Sequence, residues 1–445
     1  MLDHIIGNDA DIPGKKLTSR MTKFVDELPI DVSVILNTIC NSGGGVWIVG
    51  GAVRDVEMGI SPTDIDLATD LTPDILTKIF PNSIETGVSF GTITIKSGNY
   101  LIQTTTLRTD GKYIDGRRPE SVEWSKLLSE DLKRRDFTIN SLAIDVARRL
   151  YYDPHSGIKD IQNRIIRSVG NPLQRISEDS LRILRAYRFL GQFNVQWHIE
   201  PELSIAISNN RHLISELAKE RIWQELKKIM SGKIAHKIIS LMIKDKVMAQ
   251  IISWQSIDTE TMTAALKNSE SLDYISLFVL LTYDMKTDDV GELCKHLTLS
   301  KKDTKSIIFT KHMTEVIPKK DLQYLRLYRH ICDQRLTQII NLATIFCEHK
   351  LSSSHASITP DYLVDIKKSL QKLAPLSVRN QIVDGNWIMA NTKIKQGRKL
   401  GRLKEWLYRI QIENDLATIA EIELVLVKLH WEKSDFESWP RMKLK

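Results

Sequence analysis

Hydrophobic positions fall in short runs over the first third of the chain and then recur at helical spacing almost to its end. Val46-Trp-Ile-Val-Gly50 is a continuous apolar run closed by a glycine pair, the pattern of a buried strand. Residues 64–69, 92–96 and 100–106 read as further strands, and 73–80 and 138–147 as helices. Lys15 to Ile39 reads as one helix that stops at Gly43-Gly44-Gly45. From 177 onward the helical period dominates, most clearly over 177–191, 214–230 and 233–249. Leu107–Lys133 is charged and interrupted by glycine, which predicts a long loop of the kind that often carries function. Lys301–Lys320 is Lys-rich and polar, Ser352–Ser357 ahead of Pro360 reads as a linker, and a last helical unit spans about 361–432. Strands mixed with helices, followed by a long helical remainder, predict an α+β head and an all-helical body.

Charge and composition narrow the class. The 445 residues suit two to four domains. A hydrophobic fraction of 42% is ordinary for a globular chain, and no window approaches a membrane span of about 18 apolar residues. The start, MLDHIIGNDADIPGKK, lacks the apolar core of a secretory signal and carries early acids unlike a transit peptide. Cys40, Cys294, Cys332 and Cys347 show no metal or redox spacing, so reduced buried thiols and a cytoplasmic location are expected. The net charge of +7 is compatible with a polyanionic partner, and the chain carries no P-loop, HExxH or GxSxG motif.

Candidate chemistry concentrates in a few places. After the strand at 46–50, Gly50-Gly51 lets backbone N–H groups approach a phosphate, and a helix with Arg54 follows. In Asp64-Ile-Asp66 the two carboxylates are two residues apart, so a strand places both on one face, where one Mg²⁺ could take both. A solvated strand edge or a helix cap would produce the same doublet. Arg134-Arg135-Asp136-Phe-Thr-Ile-Asn140 opens the helix expected at 138–147: Arg135 suits phosphates, and Asp136 with Asn140 suits a ribose, or Asp136 merely caps a core helix. Behind a Ser177 cap, Asp179, Arg182, Arg185 and Arg188 recur every three residues, either as a solvated salt-bridge face or as a recognition stripe. An Asp that accepts beside an Arg that donates copies a Watson–Crick edge. An Asp179/Arg182 pair would take CTP and ATP and leave buried groups unpaired against GTP and UTP. Gly397-Arg-Lys-Leu-Gly401 could offer a helix start to an RNA phosphate, or be an ordinary helix start.

With these residues in place, the chain resembles the class II tRNA nucleotidyltransferases, the CCA-adding enzymes together with the bacterial poly(A) polymerases. The resemblance rests on Gly50-Gly51-Ala-Val-Arg54-Asp55, Asp64-Ile-Asp66, Glu85–Thr92, Arg134–Asn140, Asp153–Arg167, Glu178–Arg188 and Glu220–Glu225, in that order, and more loosely on Ala374–Trp431. It implies a polymerase-β-like nucleotidyltransferase head at 1–170 and a helical neck at 171–232 that recognises the base. A helical body at 233–350 and a tail at 351–445 would bind RNA, in a sea-horse arrangement. The implied metal and catalytic residues are Asp64 and Asp66, with Mg²⁺ as cofactor. The implied nucleotide contacts are Gly51, Arg54, Arg135, Asp179, Arg182, Arg185 and Arg188. The implied partners are the tRNA acceptor arm and 3′ end, CTP and ATP, with no membrane and no stable protein partner. The implied reaction is template-independent CCA addition by attack of the RNA 3′-hydroxyl on the α-phosphorus. Gln103 stands where the family often has an acid, so a third metal-side carboxylate is in doubt. CC-only relatives lack the loop that 107–133 carries here with Arg108, Asp110, Asp115, Arg117 and Arg118. Poly(A) polymerases typically carry a GRRF-like stretch where this chain reads Leu76–Pro81. Full CCA addition is therefore expected, with A-only addition the main rival, poly(A) synthesis next, and a non-catalytic RNA-binding protein opposed by the intact Asp64, Asp66, Arg54 and Asp179.

Overall fold

The computed structural model describes residues 7–87, 91–110, 122–193, 196–252, 258–355 and 357–444. Its contacts divide the chain into two compact units, Met1–Ser253 and Trp254–Lys445. The boundaries expected at 170 and 232 lie inside the first unit, and that at 350 inside the second.

The first unit opens with β1 (Lys15–Lys16), α1 (Ser19–Asp26) and α2 (Ile30–Asn41). The single helix expected over 15–39 is broken because Pro29 has no N–H to continue α1 and holds Leu28 away from the helical region. Next come β2 (Val46–Val49), α3 (Gly51–Glu57), β3 (Asp66–Thr69) and α4 (Pro73–Ile79), then β4 (Ile84–Gly87), β5 (Thr92–Ser97) and β6 (Tyr100–Thr106). The expected loop at 107–133 is in part ordered structure: β7 (Arg108–Asp110) pairs with β8 (Val122–Trp124), and α5 (Leu128–Lys133) follows. Asp115, Arg117 and Arg118 lie outside the described residues.

The helix expected at 138–147 does not form. Thr138–Asn140 is a single 3₁₀ turn, and β9 (Ala143–Asp145) and β10 (Leu150–Tyr152) follow it. Leu142, Ala143 and Ile144 are fully buried, and β9 lies between β2 and β10. An apolar run this short fits a buried strand as well as a helix, and the neighbours on both sides decide it.

These strands form an eight-stranded sheet in the order β1-β10-β9-β2-β3-β6-β5-β4, antiparallel except for the parallel β3–β6 pair. Trp47, Val49, Ala68, Leu107, Leu128, Leu132, Ala143 and Tyr152 form one buried cluster on it. The register places the site. Val49 pairs with Asp66, so β3 begins beside the end of β2, where the glycine turn leaves the sheet. Val49 also pairs with Ala143, which brings the 138–140 turn to the other side of that exit.

After α6 (Gly157–Asn163) and the short parallel pair β11 (Ile165–Ile166) and β12 (His198–Ile199), the unit is helical. The helix expected at 177–191 is two: α7 (Pro172–Glu178) and α8 (Leu181–Phe193). Asp179 ends α7 in extended geometry, and its carboxylate accepts from the N–H of Leu181 at 3.2 Å, so it starts α8. Ser177 is not the cap; its hydroxyl donates back to the Leu173 carbonyl. Then come α9 (Pro201–Asn210), α10 (Lys219–Met230) and α11 (Ala235–Lys244), with 3₁₀ turns at Arg211–Glu216 and Met248–Gln250 absorbing the ends of the longer helices expected.

The second unit is helical throughout its described secondary structure. The Lys-rich segment forms a helix over Lys301–Glu315, in which Lys311 is buried and its Nζ donates to the Thr282 and Tyr283 carbonyls. The expected linker is a 3₁₀ turn, Ser353–His355, with His355 buried. The last helical stretch comprises Pro360–Lys372, Gly385–Thr392, Arg398–Asn414 and Ile419–Lys428.

Candidate active site

β2 carries the chain straight to Gly50, whose φ of +73° suits glycine. A side chain there would also collide: its Cβ would lie 2.7 Å from Nη1 of Arg135. The Gly50 N–H donates to the Leu142 carbonyl at 3.0 Å, which ties the turn to β9. Gly50, at the N-cap of α3, has no side chain to cap the helix. Arg54, one turn into α3, is 5% exposed. Its Nη1 donates to Oδ1 of Asn140 at 2.6 Å, and its Nε and Nη2 donate to Oδ1 of Asp55 at 2.9 and 2.7 Å.

Asp66 is the first residue of β3, while Asp64 lies just ahead of the strand; both are exposed. Crowding by surrounding protein, and then the charge of Asp64, hold the Asp66 carboxyl above the usual range, against the pull of Arg135. A divalent cation would relieve that repulsion. The parallel register of Leu67 with Thr104 sets Gln103 alongside Asp66, on the same face of the sheet. Among the described residues no cluster of three or more His, Cys, Asp or Glu is placed to hold a metal. Two carboxylates and a neutral amide oxygen still fit Mg²⁺, which commonly takes one or two carboxylates and completes its shell with phosphate and water.

The bend at 131–140 is a clamp. Asp131, fully buried, accepts from Arg134 at 2.5 Å and from Arg135 at 3.0 Å. Burial alone would raise its carboxyl; the two guanidinium groups outweigh this and hold it below the ordinary range. Asp136 is also buried. It accepts from the Asn140 amide at 2.9 Å, the Phe137 N–H at 2.8 Å and Nε of Arg185 at 2.7 Å. Against the effect of burial, Arg185 and these bonds hold its carboxyl far below the usual range. Asp136 and Asn140 thus meet each other in a 3₁₀ bend, and not on the helix face expected from their spacing.

From α8, Arg185 joins Asp136, and Arg188 lies 2.8 Å from Glu225 of α10, off the line of an N–H···O bond. Asp179 and Arg182 are not paired with each other. Asp179 accepts from Arg221 at 3.1 Å. Arg182 donates to the Arg175 carbonyl at 2.5 Å and lies 3.4 Å from Glu178. With a third, longer bond to the Arg134 carbonyl at 3.4 Å, Arg182 still has spare N–H groups, and Asp179 keeps free lone pairs.

Gly51, Arg54, Asp64, Asp66, Arg135, Asp179, Arg182, Arg185 and Arg188 all line one cavity of about 890 Å³. Nine Arg and Lys side chains face it against five Asp, a positive excess that suits a triphosphate. Sequence reading left out Asp131, although its spacing of three and four residues from Arg134 and Arg135 is a helical ion-pair signal. It also left out the partnership of Arg221 with Asp179, 42 residues apart, for which no local pattern exists.

Comparison with known proteins adds independent findings. Residues 46–167 match the Poly A polymerase head domain family, and residues 197–253 match the family described as the probable RNA and SrmB-binding site of polymerase A. The CCA-adding enzyme of Levilactobacillus brevis is 32% identical over 314 residues, which cover 70% of this chain and 78% of that protein. The CCA-adding enzyme of Staphylococcus aureus is 30% identical over 406 residues, 91% of this chain and 96% of that one. The crystal structure of the Bacillus stearothermophilus CCA-adding enzyme in complex with CTP has the same fold, with a TM-score of 0.67 at 21% identity over 93% of this chain and 98% of that chain.

Proposed function

The chain belongs to the family of CCA-adding enzymes, and from that membership we propose that it adds C, C and A in turn to the 3′ end of tRNA, without a template, from CTP and ATP, with release of pyrophosphate. The observation that carries this reading is the shared cavity: paired carboxylates at one part of its wall, a set of guanidinium groups, and an Asp and an Arg with spare hydrogen-bonding capacity.

Enzymes of this family depend on a metal, and the proposed ion is Mg²⁺, held by Asp64 and Asp66. When bound, it supplies a lowered pKa for the attacking hydroxyl and charge neutralisation at the α-phosphate. The residues of the chain do the rest. The Gly50-Gly51 turn brings backbone close to the phosphates without a Cβ between them. Arg54, Arg135, Arg185 and Arg188 hold the triphosphate and fix the α-phosphorus in line with the RNA 3′-hydroxyl. Because their own carboxylate partners already orient them, little reorganisation is needed when the nucleotide enters. Asp179 accepts the exocyclic amino group of cytosine or adenine, and Arg182 donates to the adjacent ring nitrogen. Guanine and uracil present the opposite order, so neither side chain could make its bond to the base. No protein nucleophile takes part.

In this proposal residues 1–170 form the catalytic head and 171–232 the base-recognising neck. Residues 233–350 and 351–445 hold the acceptor arm of tRNA, largely by phosphate contacts and shape. No described helix is long and apolar enough to cross a membrane, and the proposed location is the cytoplasm. Asp64→Ala tests the metal assignment. Turnover should fall by at least about 10³-fold while tRNA affinity, read by filter binding, stays within about twofold. Turnover retained in that variant would remove Asp64 from the metal site.

A further inference from the structure

Three guanidinium groups that the proposed function assigns to the nucleotide meet at one aromatic ring. The Cζ of Arg54, from α3, lies 5.2 Å from the ring centroid of Phe189 and 5.1 Å from that of Phe193. On α8 itself, Arg188 lies 4.3 Å and Arg185 5.9 Å from the centroid of Phe189. All of these are within the roughly 6 Å at which the negative face of a ring attracts a cation. Phe189 is 3% exposed and held from two further sides, stacked on Phe193 at 5.7 Å and meeting Phe137 edge-on at 5.7 Å.

Each cation has a carboxylate of its own, and the three carboxylates come from three places: Asp55 in α3, Asp136 in the bend and Glu225 in α10. What the cations have in common is the ring. They also repel one another: burial, and then the charge of Arg185, weaken the hold of Arg188 on its proton. An apolar side chain of similar volume would fill the space at Phe189 without easing that repulsion.

We propose that Phe189 is a positioning residue for the nucleotide, a ring whose electron density sets the spacing of Arg54, Arg185 and Arg188 before the triphosphate arrives. The proposal deepens the assignment of those arginines to the nucleotide and rests on it. It also links the strand-turn-helix that carries Arg54 to α8, so that the phosphate and base ends of the cavity keep a fixed separation.

The test replaces Phe189 in the full-length chain with 4-fluoro-, 3,5-difluoro- and 3,4,5-trifluorophenylalanine. This series withdraws ring electron density at nearly constant shape. The KM for CTP and for ATP should rise stepwise, to about tenfold for the trifluoro ring, while kcat and the melting temperature stay nearly level. F189L, apolar but without a ring face, should match or exceed the trifluoro KM. A flat KM across the fluorinated series overturns the proposal, as does F189L with the KM of the parent chain. R188A in the same assay separates the two claims. If R188A raises KM while the fluorinated series is flat, only the role of the ring falls. If R188A leaves KM unchanged, the assignment of Arg188 to the nucleotide falls, and the proposal falls with it.

Discussion

Gly50 shows how one residue can serve both backbone and chemistry. Its φ of +73° strains any L side chain, and the space where a Cβ would sit is taken by Arg135. Gly50→Ala should therefore destabilise the head by about 1–3 kcal/mol. It should also raise the KM for both nucleotides by displacing Arg135, without changing which base is chosen. Unfolding midpoints together with CTP and ATP kinetics check this. A variant with normal KM would show that the turn matters only for folding. Asp64 and Asp66 differ in kind from Gly50. Burial and the charge of Asp64 together hold the Asp66 carboxyl above its usual range, and a divalent cation held by both, as proposed, would offset that repulsion.

At the scale of elements, the bend from α5 to β9 holds the site together. Asp131 and Asp136 are buried there with carboxyls held below the ordinary range by Arg134, Arg135 and Arg185. A depressed folded-state pKa adds stability that is fully present above the unfolded value of about 4 and is lost as pH falls through the folded value. Asp136→Asn should cost about 1–3 kcal/mol at pH 7, a range reduced because the side chain of Arg185 remains 34% exposed. The difference from the parent chain should narrow as pH drops below about 4. Urea unfolding at pH 7 and pH 3 measures it, and an equal gap at both would mean that Asp136 is not the group being titrated. The same bend marks where sequence patterns were least informative. Arg134–Asn140 was recognisable as a motif, but its secondary structure was not, because Leu142–Ile144 lies between its hairpin partner β10 and β2, which is remote in sequence. At Asp179 the apolar period runs through the α7–α8 break almost unchanged. The break comes from one side chain that turns back onto the Leu181 N–H, and period counting does not register that.

For the whole molecule, the sequence was most legible where chemistry and spacing coincide. The order of Gly50-Gly51, Asp64/Asp66, Arg134–Asn140 and Glu178–Arg188 pointed to residues that the fold gathers around one cavity. What it did not disclose is how those residues are held: Arg221 behind Asp179, Asp131 beneath Arg134 and Arg135, and Phe189 among three cations. Such contacts depend on register and helix crossing, and leave no local trace. The central claim is that this cavity reads C and A and stops after three additions. The most direct test is a product-length assay on tRNA lacking its CCA end, with Mg²⁺ and CTP alone, ATP alone, both, or GTP and UTP. The account predicts two C residues with CTP, one A after them when ATP is present, and no addition from GTP or UTP. An A added only to tRNA already ending in CC, a long A ladder, or no product in any lane would contradict it.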